Sequence, residues 1–353
     1  MTPLILQRAL EHQPRAEMAL DAALEAGPSH AYLFRGPRGA GKRAAARAFA
    51  AEILAGAAED AEGVRRRALL DPSPHPDLVW LAPKGAQHLV EEVRERVIRA
   101  AAYRPYEGGK RVFVIEAAEA MRDESQNALL KTLEEPPEFV HLILLSSEPA
   151  ALLETIISRC QPVDFAPLPV EAVEAMLEGE PNEVAAAARL SSGDVELARF
   201  LLTERGREVR AEAIDADWPA MLKAAEMAGE EAESTAREAL EADKEAGIKR
   251  SARDVADAAK RAGRRRRTEL LDLGLSLSAT WFRDMAAVAA GAADVAYNRD
   301  RLAELESRAA SVDTAKARGA AELVQDTRRR LDLNVSEELA LEALSFRLAA
   351  VLG

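Results

Sequence analysis

The chain has 353 residues, of which 48% are hydrophobic and 30% charged, and its formal net charge is −13. Such a length and mixture suit a globular protein of two or three domains with real cores, and exclude a disordered chain. The acidic balance argues against nucleic-acid binding over most of the surface, and the single cysteine, Cys160, excludes an intrachain disulfide or a Cys-rich zinc site.

Ala, Leu, Glu and Arg dominate and aromatics are only 4%, a composition that favours helices over strands. The first twenty residues lack the charged-then-apolar order of a secretory signal, and no apolar run approaches membrane-spanning length. The expectation is a reducing cytoplasm and no membrane partner.

Residues 4–26 read as one amphipathic helix. HAYLF at 30–34 is a short buried strand, followed by GPRGAGK at 36–42 and a strong helix from Arg43. DPSPHP at 71–76 is a turn cluster, and DLVWLAP at 77–83 a second strand. A helix is predicted around 87–102, where Leu89, Val93, Val97 and Ile98 share a face. RVFVIE at 111–116 is a third strand, and SQNALLKTLEE at 125–135 a helix stopped by Pro136 and Pro137. HLILLSS at 141–147 and PVDFAPL at 162–168 give strands four and five. This alternation implies an α/β unit with a mostly parallel five-stranded sheet covered on both faces. After Pro169 no convincing strand appears: short helices fill 170–203, with SSGD at 191–194 as a loop and cap, and the rest is helical. The expected domains are 1–165, 166–206 and 207–353.

Gly36, Gly39, Gly41 and Lys42 nearly complete the phosphate-binding loop G-x-x-x-x-G-K-[ST]. Glycines let backbone N–H groups turn toward phosphate oxygens, Lys42 adds charge, and the following helix N-terminus favours an anion. The eighth position, which should carry a Mg²⁺-holding hydroxyl, is Arg43. A guanidinium can lie against phosphate but cannot coordinate a metal. The third strand should end in Asp-Glu, for metal and for lytic water. It ends in Glu116-Ala117 instead, so Glu116 is an imperfect stand-in and Ala117 cannot polarise water. Glu119 is read as a solvated charge that faces elsewhere. The sequence leaves open whether the loop still takes nucleotide, but hydrolysis should fall by orders of magnitude. No metal site is expected.

HAYLFRGPRGAGK, HPDLVWLAP at 75–83, RVFVIEAAEAM at 111–121, QNALLKTLEEPP at 126–137 and ISRCQ at 157–161 together resemble the delta-prime subunits of bacterial DNA polymerase III clamp loaders, within the AAA+ clamp-loader family. The likeness is close over the first 165 residues and looser beyond, where LLDLGLSLSATWFRDM is the best segment. It implies an ATPase-like domain, a helical lid and a helical collar in a five-subunit ring. It also implies gamma/tau and delta subunits as partners, and, through the complex, the sliding clamp and primer-template DNA. Arg159 of the Ser-Arg-Cys trio would then be an arginine finger reaching the adjacent subunit's ATP. General chemistry alone makes a salt bridge with a nearby carboxylate the commoner role for such an arginine. Three features depart from an active gamma-type subunit: Arg43, the Glu116-Ala117 pair, and Glu196 where a lid arginine would stand. Most relatives carry a four-cysteine zinc module before the second strand. This chain has no cysteine there, so no zinc is expected and no cofactor is required, with weak ATP, ADP or phosphate binding left to the degenerate loop.

Several other features have plain readings beside functional ones. Asn127 and Lys131 share a helix face that is either solvated or turned to DNA or a neighbour. Ser146 and Ser147 end the fourth strand, where a phosphate sensor or ordinary capping is expected, and capping is preferred. Lys260, Arg261 and Arg264 to Arg267 form a basic run, expected to pair with the acidic stretch 230–245. Trp281, Phe282, Met285 and Val288 make an amphipathic stripe, either internal core or a seam to neighbours.

Overall fold

Five short apolar runs in the first half become strands, and the alanine-rich segments between and after them become helices. The computed structural model describes residues 4–83, 88–245, 252–331 and 335–352. The chain divides into two compact units, Met1–Pro169 and Val170–Gly353.

In chain order the first unit contains α1 (Leu4–Ala9), α2 (Pro14–Ala26), β1 (Ala31–Arg35), α3 (Lys42–Ala55), α4 (Ala61–Leu69) and β2 (Leu78–Leu81). Then come α5 (Val90–Val93), β3 (Arg111–Ile115), α6 (Asp123–Glu134), β4 (Val140–Ser146), α7 (Glu154–Ile157) and β5 (Gln161–Asp164). The sheet order is β2-β3-β4-β1-β5, and every pairing is parallel. Leu33 lies beside Leu144 on one side and Pro162 on the other, which fixes the register of the central strands. A parallel sheet needs cover on both faces, and the alternation of side chains supplies two cores. Tyr32 and Phe34 point into one, with Phe49 of α3 and Leu20 of α2. Leu33, Phe113 and Leu142 point into the other, with Val97 and with Leu129 and Leu133 of α6.

Three local differences from the sequence expectation have physical causes. Residues 4–26 are two helices rather than one: Pro14 starts α2 and cannot continue a helix from α1. At the break the buried Gln13 amide donates to the carbonyls of Ala40 (3.0 Å) and Ala166 (2.7 Å) and accepts from the Ala166 N–H (2.9 Å). It thereby ties the glycine loop to the exit of β5. Second, α4 forms in a stretch without clear apolar periodicity, helped by Asp60, whose side chain caps the Gly63 N–H at 2.9 Å. Third, the helix predicted for 87–102 begins at Val90 and widens into a π-helical turn over Arg94–Arg99, while residue 87 lies outside the described residues.

The second unit is helical throughout its described residues: α8 (Val170–Ala175), α9 (Pro181–Leu190), α10 (Val195–Leu201), α11 (Glu204–Asp215), α12 (Trp218–Glu245), α13 (Ala252–Ala289), α14 (Leu302–Ala309), α15 (Thr314–Leu331) and α16 (Glu337–Leu352). Asp194 caps α10 as the SSGD loop predicts. α12 and α13 approach closely where Gly229 meets Gly263, since a Cβ on Gly229 would stand 2.9 Å from the Gly263 carbonyl. Trp281, Phe282 and Met285 are buried within this unit, so the stripe is internal core. Arg265 and Arg266 pair with Glu269, and Arg267 with Glu226 and Glu337. These carboxylates lie outside the 230–245 stretch expected to neutralise them. Among the described residues, no helix is long and apolar enough to cross a membrane.

Candidate nucleotide site

The carboxyl ends of parallel strands are where loops open toward a ligand, and the glycine loop sits there, between β1 and α3. Its glycines are required by the backbone. Gly36, Gly39 and Gly41 have φ of +150°, +68° and +85°. A Cβ on Gly36 would meet the Phe165 carbonyl oxygen at 2.2 Å. α3 starts without a side-chain cap and without an acidic residue in its first turn, which leaves its positive end to an anion. Lys42 is buried; its ammonium donates to the carbonyls of Gly36 (2.5 Å) and Pro37 (2.6 Å) and lies 3.4 Å from Ser147 Oγ. The charge is therefore held inside the curl of the loop. These groups fit a phosphate.

They do not fit a magnesium ion. Arg43 Nη2 pairs with Asp71 Oδ2 at 3.0 Å, and its Nε lies 3.7 Å from Glu116 Oε2. Arg47 Nη2 pairs with Asp71 Oδ1 at 3.0 Å. The Trp80 indole donates to Glu116 Oε2 at 3.0 Å, and the Arg47 and Arg43 guanidiniums lie 4.5 Å and 5.7 Å from the Trp80 ring. The two carboxylates that could have approached a metal are already neutralised by fixed cations. A divalent ion here would face a guanidinium where it needs an oxygen.

Glu119 departs from its expectation. Ala117 takes a left-handed conformation (φ 48°, ψ 57°), and a single 3₁₀ turn over Ala118–Ala120 follows. That reversal folds Glu119 back to the end of β4, where its Oε1 accepts the Ser147 N–H at 3.0 Å and its Oε2 is buried without a partner among the described residues. Glu119 is thus part of the site's wall rather than a solvated charge. His88 closes the same wall: it is buried, its Nε2 lies 2.7 Å from the Glu116 carbonyl oxygen, and burial holds its pKa below the usual histidine value. A neutral ring donating from Nε2 satisfies that contact. Ser146 Oγ accepts the Glu148 N–H at 3.2 Å, which is ordinary capping, whereas Ser147 links Glu119 to Lys42.

The structure therefore gathers Gly36, Gly39, Gly41, Lys42, Arg43 and Glu116 in one place. Arg159 bonds to other groups. It follows the short α7, with Nη2 on Glu134 Oε1 at 2.7 Å and Nη1 donating to the Thr155 carbonyl at 2.9 Å. Its neighbour Cys160 is buried, and burial pushes the thiol up to about 12, so it behaves as a small apolar residue. Lys131 is exposed, and Asn127 donates to the Asp123 carbonyl of its own helix at 2.8 Å. Glu196 pairs with Arg199 at 2.8 Å on α10. Sequence reasoning missed Asp71, Arg47 and Trp80. The only signal was the DPSPHP turn, which brings Asp71 under the start of α3.

Residues 12–169 match the family described as DNA polymerase III, delta subunit. The chain is 34% identical over 203 residues to the DNA polymerase III subunit delta' of Bacillus subtilis, which is 52% of this chain and 60% of that protein. It is 38% identical over 204 residues to the delta' subunit of Pseudomonas aeruginosa, 53% of this chain and 60% of that one. The gamma/tau subunit of Mycobacterium tuberculosis (strain H37Rv) is 36% identical over 170 residues, 47% of this chain and 29% of that protein. The match thus spans 60% of the length of these two delta' relatives and is longer than the match to gamma/tau. On the glycine loop, the strand motifs and these matches, the N-terminal unit is similar to DNA polymerase III delta' subunits over about half of this chain.

Proposed function

We propose that this chain is a non-hydrolysing subunit of a DNA polymerase III clamp loader in the bacterial cytoplasm. It would help build the ring with gamma/tau and delta subunits, and through that complex act on the sliding clamp and primer-template DNA. It would lend Arg159 to the ATP of the adjacent subunit. Residues 166–206 would serve as the lid and 207–353 as the collar.

The observation that carries this reading is Arg43. Its guanidinium stands at the metal-hydroxyl position, and its ion pairs run to Asp71 and Glu116. A phosphate can still bind to Gly36, Gly39, Gly41 and Lys42, but position 43 presents no oxygen for metal and Ala117 offers no carboxylate for water. Binding without turnover is the chemistry such a loop retains. An arginine that answers a neighbour's phosphate needs only its charge and planar fork, and both survive in Arg159.

The purified chain should show no steady ATP turnover, and any ATP or ADP binding seen by calorimetry should be indifferent to Mg²⁺. In the complex reassembled with gamma/tau and delta, Arg159→Ala should cut DNA-stimulated ATP turnover at least tenfold. Steady turnover by the chain alone would overturn the reading. It would favour the rival, an active gamma-type ATPase, for which Glu119 at the loop wall would have to serve as the lytic carboxylate.

A further inference from the structure

We infer that Glu134 is a latch on Arg159: its carboxylate holds the guanidinium folded onto its own chain until a neighbouring subunit's triphosphate displaces it. This rests on the proposed trans role of Arg159 and adds the residue that regulates it. Both terminal nitrogens of Arg159 are engaged inside the chain, one by Glu134 Oε1 at 2.7 Å and the other by the Thr155 carbonyl four residues back at 2.9 Å. A guanidinium forks onto phosphate oxygens through those same N–H groups. At least one of the two contacts must therefore open before the finger can act.

The pair is built rather than accidental. Leu129 and Leu133 bury the inner face of α6, and Pro136 with Pro137 ends that helix just after Glu134. Cys160, next to Arg159, is buried in the same apolar cluster as Leu129 and Leu133. Both backbones are thus anchored to one core, so only side chains must be ordered to close the latch. It is also weak enough to open. The Arg159 and Glu134 side chains keep 34% and 49% of their exposure, and a pair so wetted biases its equilibrium by no more than about fivefold. A closed latch neutralises the guanidinium and sets a carboxylate where the incoming phosphates need positive charge. An open latch offers the full cation. Glu134 would then raise the ATP concentration at which the neighbouring site is half-saturated without touching the chemical step.

The test is Glu134→Gln in the reassembled complex, which keeps the side chain's shape and removes its charge. The ATP concentration for half-maximal DNA-stimulated turnover should fall about two- to fivefold, while kcat stays within about twofold. Glu134→Asp, which keeps the charge, should move the value back toward that of the natural chain. In the Arg159→Ala background, Glu134→Gln should have no effect. An unchanged or raised half-saturating concentration in Glu134→Gln overturns the latch alone, as does a fall that persists without Arg159. Full turnover in Arg159→Ala overturns the trans role and the latch together, so the two failures are distinguishable. Equal melting temperatures of the Glu134→Gln and natural chains exclude a folding effect.

Discussion

The two ends of the parallel sheet carry the same chemistry, arginine against carboxylate, at opposite degrees of burial. At the amino end, Arg111 opens β3 and pairs with Asp77 just before β2, with 5% and 0% of their side chains exposed. Asp77 also accepts the N–H groups of Tyr106 (2.9 Å) and Glu107 (2.7 Å), and Arg111 donates to the Ala100 and Tyr103 carbonyls. Both Asp77 carboxylate oxygens are engaged, and the loop before β3 is fixed. At the carboxyl end, Arg43 and Asp71 pair at 55% and 54% exposure. The first pair is architecture. The second occupies a place where ligand chemistry would otherwise occur, and it is accessible to solvent and ligand alike. Burial decides which arginine–carboxylate contact a protein can exchange.

The comparison breaks most visibly at the buried end. Asp77→Ala strands a buried guanidinium and frees two loop N–H groups, and should cost about 3–5 kcal/mol in urea unfolding of the chain. A loss below ~1 kcal/mol would mean that water reaches the pair and that the two ends do not differ. Next in size is Gly36→Ala. It asks a residue with a side chain to hold φ +150° against the Phe165 carbonyl. About 1–3 kcal/mol of destabilisation is expected, with loss of any phosphate binding.

A smaller effect appears only in acid. His75, His88 and His141 are all buried, and burial, the leading cause in each, holds their pKa values below the ordinary 6.5. The folded state resists protonation where the unfolded state accepts it. Stability should therefore be complete above about pH 6.5 and decline as pH falls toward the folded-state values. Denaturant midpoints measured from pH 7.5 to 5 check this, and His88→Asn should flatten part of the slope. A midpoint that rises on acidification would reverse the sign.

How much of this was legible in the sequence follows from how local each feature is. Four of the strands and α6 are apolar or periodic runs whose ends fall within two residues of their expected places, whereas β5 ends at Asp164, four residues short of the expected 168. The glycine loop is readable because its spacing is the chemistry. The break between α1 and α2 is marked in the sequence by Pro14, but the role of Gln13 there is not, because it lies in contacts to Ala40 and Ala166, 27 and 153 residues away. The return of Glu119 depends on Ala117 adopting a left-handed conformation, which alanine rarely does and composition gives no hint of. Arg43 was recognised as wrong for a metal. Its partners were not, because Asp71 comes to it from a turn and Glu116 from the far end of another strand. Arg159 shows the limit most sharply: the motif marks the residue, while Glu134 lies 25 positions earlier on a separate helix.

The smallest stability effect carries the most functional information. Arg43→Thr removes one half-exposed partner of Asp71, which keeps its pair with Arg47 at 3.0 Å. The stability change should stay within about 1 kcal/mol. The same substitution supplies the missing hydroxyl and leaves Glu116 free of its guanidinium neighbour. Nucleotide binding by calorimetry should then become Mg²⁺-dependent, while turnover stays absent because Ala117 is unchanged. Binding that remains indifferent to the metal would move the defect away from position 43 and onto Glu116, whose extra methylene and indole contact with Trp80 would then be what keeps the cation out. A measurable stability loss without any gain in metal response would show that the carboxyl-end cluster is architecture after all, and the contrast between the two ends of the sheet would disappear.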